Sequence, residues 1–240
     1  MYSHHKLDHE FPNEAEPRLS YIVCALPRSG SSLLCDVLAN TELAGAPAEY
    51  FEPNVMRDFS KAWGTQTFDE YLEALLVKKT SPNGVFGVKA LYPQLHDAFQ
   101  GRDIHAVFPD LRFVYVTRAD HLRQAVSFAR AMQTDKWADH HPARTTDIAF
   151  DADQVKELLD WIEREERLWE GFFDHERSAP LRLIYEEFTS SLDTSVARVL
   201  DFLGIEAPMD LRLEPTLTKQ ADDVSERWVR RYQSGRLTSQ

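Results

Sequence analysis

Apolar residues fall along this chain in two alternating rhythms. Short runs with little polar alternation stand at 21–24 (Tyr21, Ile22, Val23, Cys24), 85–89, 111–117 and 181–184. Runs of this kind, bounded by turn residues, predict strands buried on both faces of a parallel sheet. Between them the spacing becomes helical. Leu33, Leu34 and Val37 follow the first strand, and Phe68, Tyr71, Leu72, Leu75 and Leu76 follow a Thr67–Glu70 capping box. A helical stretch is expected around 95–99, and another on Leu122, Val126, Ala129 and Met132. The longest helix begins at Asp151, carries Val155, Leu158, Leu159, Ile162, Trp169, Phe172 and Phe173 on one side, and is expected to stop at Pro180. A helix with Leu200, Phe202 and Leu203 closes at Gly204, and 222–232 forms the last one. Strands separated by helices predict an α/β fold, a P-loop-like parallel sheet with helices on both faces.

The remaining stretches fit around this frame. Residues 1–18 read as a flexible leader and 19–240 as one domain; His4, His5 and His9 belong to that polar leader rather than to a metal site. Segment 45–53 is bracketed by Pro47 and Pro53 and reads as a constrained, extended loop. Segment 134–150 reads as a long loop, a lid or a partner contact, and Glu163, Arg164, Glu165, Glu166 and Arg167 as a solvated helix face.

Charge narrows the partners. The formal net charge is −12, which argues against nucleic acid or an anionic membrane surface. No apolar run reaches about 18 residues, so no integral membrane segment is expected, and the polar start lacks the apolar core of a secretory signal. Two cysteines, Cys24 and Cys35, make no disulfide framework and fit a cytoplasmic setting. In so acidic a chain, basic residues at strand ends are informative. Arg28, Lys89 and Arg118 are each expected to follow a strand, on the sheet edge where α/β folds bind ligands.

The stretch 21–36 joins the first strand to its helix through Pro27, Arg28, Ser29, Gly30, Ser31 and Ser32. Backbone N–H groups at such a helix start, with an arginine and three hydroxyls beside them, suit an anion. The loop is not a Walker A sequence, which needs a lysine followed by Ser or Thr. The other strand ends carry cations rather than the aspartate a Mg²⁺-dependent nucleotide enzyme uses. Metal-free transfer of a group with fewer charges than phosphoryl fits better, and sulfuryl is such a group.

These residues also carry a resemblance. The loop from Pro27 to Leu34 and the run from Val116 through Arg118 and Gln124 to Phe128 resemble the PAPS-dependent sulfotransferases. Within them the chain is similar to the bacterial trehalose 2-sulfotransferase family. The match extends through 47–51, 83–89, 127–137 and 219–229, and so covers nearly the whole chain in order. The resemblance implies that Arg28, Ser29, Gly30, Ser31 and Ser32 bind the 5′-phosphosulfate of 3′-phosphoadenosine 5′-phosphosulfate (PAPS). It implies that Arg118 and Ser127 hold the 3′-phosphate, while Lys219, Gln220 and Ala221 close over the adenine side. Without the resemblance, Ser127 reads equally as a helix residue bonding its own backbone.

Glu49 matches the family's base, with Arg28 and Lys89 assisting departure of the phosphate. Glu52 is the competing carboxylate; His140 and His141 are less favoured as a base. Tyr50 and Phe51 are candidates to stack on a sugar ring. A carbohydrate or glycolipid acceptor and a homodimer are also implied. Pro27, Ala46 and Ala48 stand where the trehalose enzymes carry a Gln and polar side chains, which opens the acceptor to other glycans. Two other classes remain: a nucleotide-dependent kinase or hydrolase, and a nucleotide-binding protein without catalysis.

Overall fold

The structure, a computed structural model, describes residues 9–11, 15–137, 143–207 and 223–237. Four strands, β1 (Leu19–Ala25), β2 (Val85–Leu91), β3 (Leu111–Thr117) and β4 (Leu181–Ile184), pair in parallel in the order β2-β1-β3-β4. The chain leaves β1 to one side for β2 and returns across it for β3. The crevice beyond the end of β1 is therefore the point at which the winding reverses, the usual ligand position in such sheets.

The helices are α1 (Ser31–Asn40), α2 (Pro53–Trp63), α3 (Phe68–Lys79), α4 (Tyr92–Ala98), α5 (Ile104–Val107), α6 (His121–Thr134), α7 (Ala152–Glu176), α8 (Tyr185–Phe188), α9 (Leu192–Phe202) and α10 (Asp223–Leu237). Period-two alternation along the strands splits the interior into two cores. Ile22, Cys24, Phe86, Val88, Phe113 and Tyr115 face one core, which α3, α6, α7 and α10 cover. Tyr21, Val23, Ala25, Val114 and Val116 face the other, under α1 and α9. Helices thus lie on both faces, as the pattern of apolar runs predicts, and both cysteines are buried and form no disulfide.

Several boundaries differ from expectation for local reasons. Pro53 does not only constrain the preceding loop; it opens α2, whose N-cap is Glu52. The long helix ends at Glu176, before Pro180, because Arg177 turns left-handed (φ 51°) and Ser178 N–H reaches back to Phe173 O at 3.0 Å. Strand β2 runs two residues beyond Lys89, to Leu91. The described part of the leader is docked rather than loose. Phe11 N–H donates to Lys78 O (3.0 Å), Lys79 Nζ to His9 O (2.7 Å), and Trp63 Nε1 to Glu10 (2.8 Å).

Candidate active site

Strand β1 ends at Ala25, whose carbonyl accepts from the buried Trp169 Nε1 of α7 at 3.2 Å. From α6, Gln124 Nε2 donates to Pro27 O at 2.9 Å. The loop is thus held at both edges by the helices it faces. Inside it the backbone turns left-handed twice, at Arg28 (φ 63°) and at Gly30 (φ 87°). A Cβ at Gly30 would lie 2.3 Å from Tyr185 Cδ2, so only glycine fits there. A non-glycine residue held left-handed costs on the order of 1 kcal/mol or more, and such positions cluster at functional sites.

What this turn creates is a place for an anion. Gly30 is the N-cap of α1 and no side chain caps the helix, which leaves the first-turn N–H groups for a ligand. Ser29 Oγ is buried without a hydrogen-bond partner, an orphan that a bound oxyanion would satisfy. Ser32 is exposed at the mouth. The expected donor loop, Arg28 to Ser32, is therefore one compact cradle, and its residues fit a phosphate or phosphosulfate group.

Two further residues reach it from β3 and α6. Arg28 Nε donates to Ser127 Oγ at 2.9 Å, and its Nη1 to Trp137 O at 2.7 Å. Ser127 thus faces the loop rather than spending its hydroxyl on its own helix. Arg118, directly after β3, places Nη1 3.5 Å from Arg28 O and its guanidinium 4.8 Å over the Tyr185 ring, with Glu186 at 3.4 Å. Arg118 also borders a cleft of about 470 Å³ that includes Thr117, His121, Glu166 and Arg182. His121 Nε2 lies 3.1 Å from Glu166, and Glu165 is buried. Those two glutamates are not part of a plain solvated face: burial pushes both carboxyls up, against the partial offset of His121 at Glu166.

On the other side, Lys89 lies inside β2, opposite Val23, rather than beyond its end. Its side chain still reaches the cradle. Nζ is 2.9 Å from Ser32 Oγ and 2.6 Å from Glu49 Oε1, and the Lys89 N–H donates to Ala48 O at 2.9 Å. The Glu49 side chain is 33 % exposed, enough to meet a solvent-borne hydroxyl. Its Oε2 accepts from Gln94 Nε2 at 2.9 Å. Burial raises the Glu49 carboxyl, but Lys89's charge and the hydrogen bonds from Gln94 and Lys89 outweigh it, so the group lies below its ordinary value.

Three neighbours of Glu49 do not take the roles expected of them. Tyr50 is wholly buried, its OH donating to Ala46 O and its ring edge-on to Phe59 at 5.9 Å. Phe51 is buried among Phe68, Phe99 and Phe108. Neither ring has a face left for a sugar, because the loop needs these side chains to anchor it to the core. Glu52 caps α2, accepting from Val55 N and Asn54 Nδ2, both at 2.9 Å, and is removed from competition as a base. Ala46 is buried, while Pro27 and Ala48 are partly exposed. Lys219, Gln220 and Ala221, like His140 and His141, lie outside the described residues.

Gln94 and Tyr185 are the partners that sequence reasoning missed. Pro93 followed by Gln94 is a helix-start signal that would have moved the 95–99 helix forward to Tyr92. Tyr185 carried no such signal, since only the close approach of α8 to Gly30 shows it.

Comparison with known proteins bears on this arrangement. The family model of the Stf0 sulphotransferases matches residues 20–235. The trehalose 2-sulfotransferase of Mycobacterium tuberculosis (strain ATCC 35801 / TMC 107 / Erdman) is 30% identical over 254 residues, covering 89% of this chain and 94% of that protein. The trehalose 2-sulfotransferase of Mycolicibacterium smegmatis is 30% identical over 255 residues, with the same coverage of 89% and 94%. Among solved structures, a sulfotransferase from Alicyclobacillus acidocaldarius shares the fold, with a TM-score of 0.53 at 14% identity over 92% of each chain.

Proposed function

Because the chain belongs to the Stf0 sulphotransferase family, we propose that it transfers a sulfuryl group from PAPS to a carbohydrate hydroxyl, with Glu49 as the base. The observation that carries this reading is Lys89, whose Nζ touches both Glu49 Oε1 (2.6 Å) and Ser32 Oγ (2.9 Å). One ammonium therefore connects the proton acceptor to the anion cradle, so the two groups that a displacement needs lie beside one another.

The donor brings a sulfuryl group already activated by its bond to phosphate. The chain's own residues do the rest. Glu49 accepts the proton of the attacking hydroxyl as the new oxygen–sulfur bond forms. The N–H groups at the start of α1, Arg28 and Lys89 face the charge that builds on the departing phosphate oxygen as the old bond breaks. Arg118 and Ser127 hold the second, 3′-phosphate from the β3 side. Both relatives named above are trehalose enzymes; for this chain we assign a carbohydrate acceptor. Pro27 and Ala48 give sugar hydroxyls few hydrogen-bond partners, so other glycans and glycolipids belong in the same test.

That test is transfer of ³⁵S from labelled PAPS to a panel of saccharides and glycolipids in the presence of EDTA. The reading expects a labelled sugar product without added metal. ATP turnover abolished by EDTA, with no labelled sugar, would replace it with a nucleotide-dependent kinase or hydrolase.

A further inference from the structure

Helix α4 begins immediately after β2, so Lys89, Leu91 and Gln94 are fixed to one rigid corner. The Leu91 N–H has no intrahelical acceptor, and Gln94 Oε1 accepts from it at 2.9 Å. A carboxamide has one accepting end and one donating end. With Oε1 committed to an N–H, Nε2 must face the opposite way, and there it meets Glu49 Oε2 at 2.9 Å. The amide orientation is thus set by the helix start and is not free to flip. Lys89 takes the other carboxylate oxygen at 2.6 Å.

We propose that Gln94 is a positioning residue for Glu49, forming with Lys89 a two-point clamp that fixes the plane of the carboxylate. The proposal rests on the reading of Glu49 as the base and adds the device that aims it. Each carboxylate oxygen accepts one bond from the clamp and retains a lone-pair direction for the incoming proton. Around Glu49 the charged neighbour is Lys89 on β2. Helix α4 contributes the neutral Gln94, and α1 contributes the Ser32 hydroxyl, reached through Lys89. Glu52 is turned away by its capping bonds to α2.

Gln94→Glu separates this role from mere support of α4. Glutamate is the usual residue at this helix position and still accepts from Leu91 N–H, but it sets a second carboxylate where the donor stood. Two carboxyls so close share a proton and titrate as a pair, with one apparent value raised. In Gln94→Glu, the acid limb of the kcat/KM profile is expected to move up by about one pH unit or more. The ¹³C titration midpoint of the Glu49 carboxyl, assigned with Glu49→Gln, is expected to move with it. In Gln94→Met, kcat is expected to fall about tenfold or more with little change in KM. An unchanged midpoint in Gln94→Glu overturns the clamp. A midpoint that shifts in Gln94→Glu while Glu49→Gln still transfers sulfuryl at the wild-type rate keeps the clamp and overturns the base assignment, so the two failures are distinct.

Discussion

At the scale of single residues, the candidate site holds opposite charges close together in a chain whose net charge is −12. Glu49 lies below its ordinary carboxyl value because Lys89 and Gln94 outweigh its burial. A depressed carboxyl is ionised, and able to accept a proton, at all pH values above its folded value, and loses that ability as pH falls through it. The acid limb of kcat/KM is therefore expected to lie under the ~4.3 of a free glutamate. Replacing Lys89 by Met removes the positive partner, so the limb moves upward and kcat drops; a limb that stays in place contradicts the pairing. On the donor side, Arg118→Ala is expected to weaken binding of adenosine 3′,5′-bisphosphate about tenfold or more in a calorimetric titration, the loss of one charge-assisted contact. Undiminished affinity would remove Arg118 from the 3′-phosphate.

At the scale of elements, the loop between β1 and α1 depends on a glycine that nothing else can replace. Gly30→Ala places a methyl 2.3 Å from the Tyr185 ring at a φ of 87°. It is expected to cost on the order of 1–3 kcal/mol and to weaken donor binding, read as a lower Tm together with a titration. Thr67→Ala makes the matching control. It breaks the α3 capping box, costs about 1 kcal/mol, and is expected to leave donor affinity unchanged because α3 packs chiefly on α2 and β2.

The same scale shows which features the sequence made legible. The strand, turn and helix of 21–36 were readable because apolar runs, a glycine and small residues each act locally. Arg118 was readable because a strand end is a local event. Gln94 facing Glu49, and Tyr185 under Gly30, join positions far apart in the chain, and no periodicity reports such a meeting. Tyr50 and Phe51 misled for a related reason. An aromatic beside a candidate base looks the same in a string of letters whether its ring lines a pocket or anchors the loop, and only packing decides.

At the scale of the molecule, the fold brings the two halves of the site from opposite sides of β1. The anion cradle, Arg118 and Ser127 belong to β1, β3 and α6, while Glu49, Lys89 and Gln94 belong to the β2 side. Reversal of the winding beside β1 is what lets them meet. Among the described residues, no helix is long and apolar enough to cross a membrane. Sulfuryl transfer in this account is a property of both halves together, and Glu49→Gln divides them cleanly. The decisive measurement is kcat for ³⁵S transfer in Glu49→Gln alongside its affinity for adenosine 3′,5′-bisphosphate. The account predicts a fall in kcat of about 10²-fold or more with the affinity unchanged; transfer at the wild-type rate would contradict it.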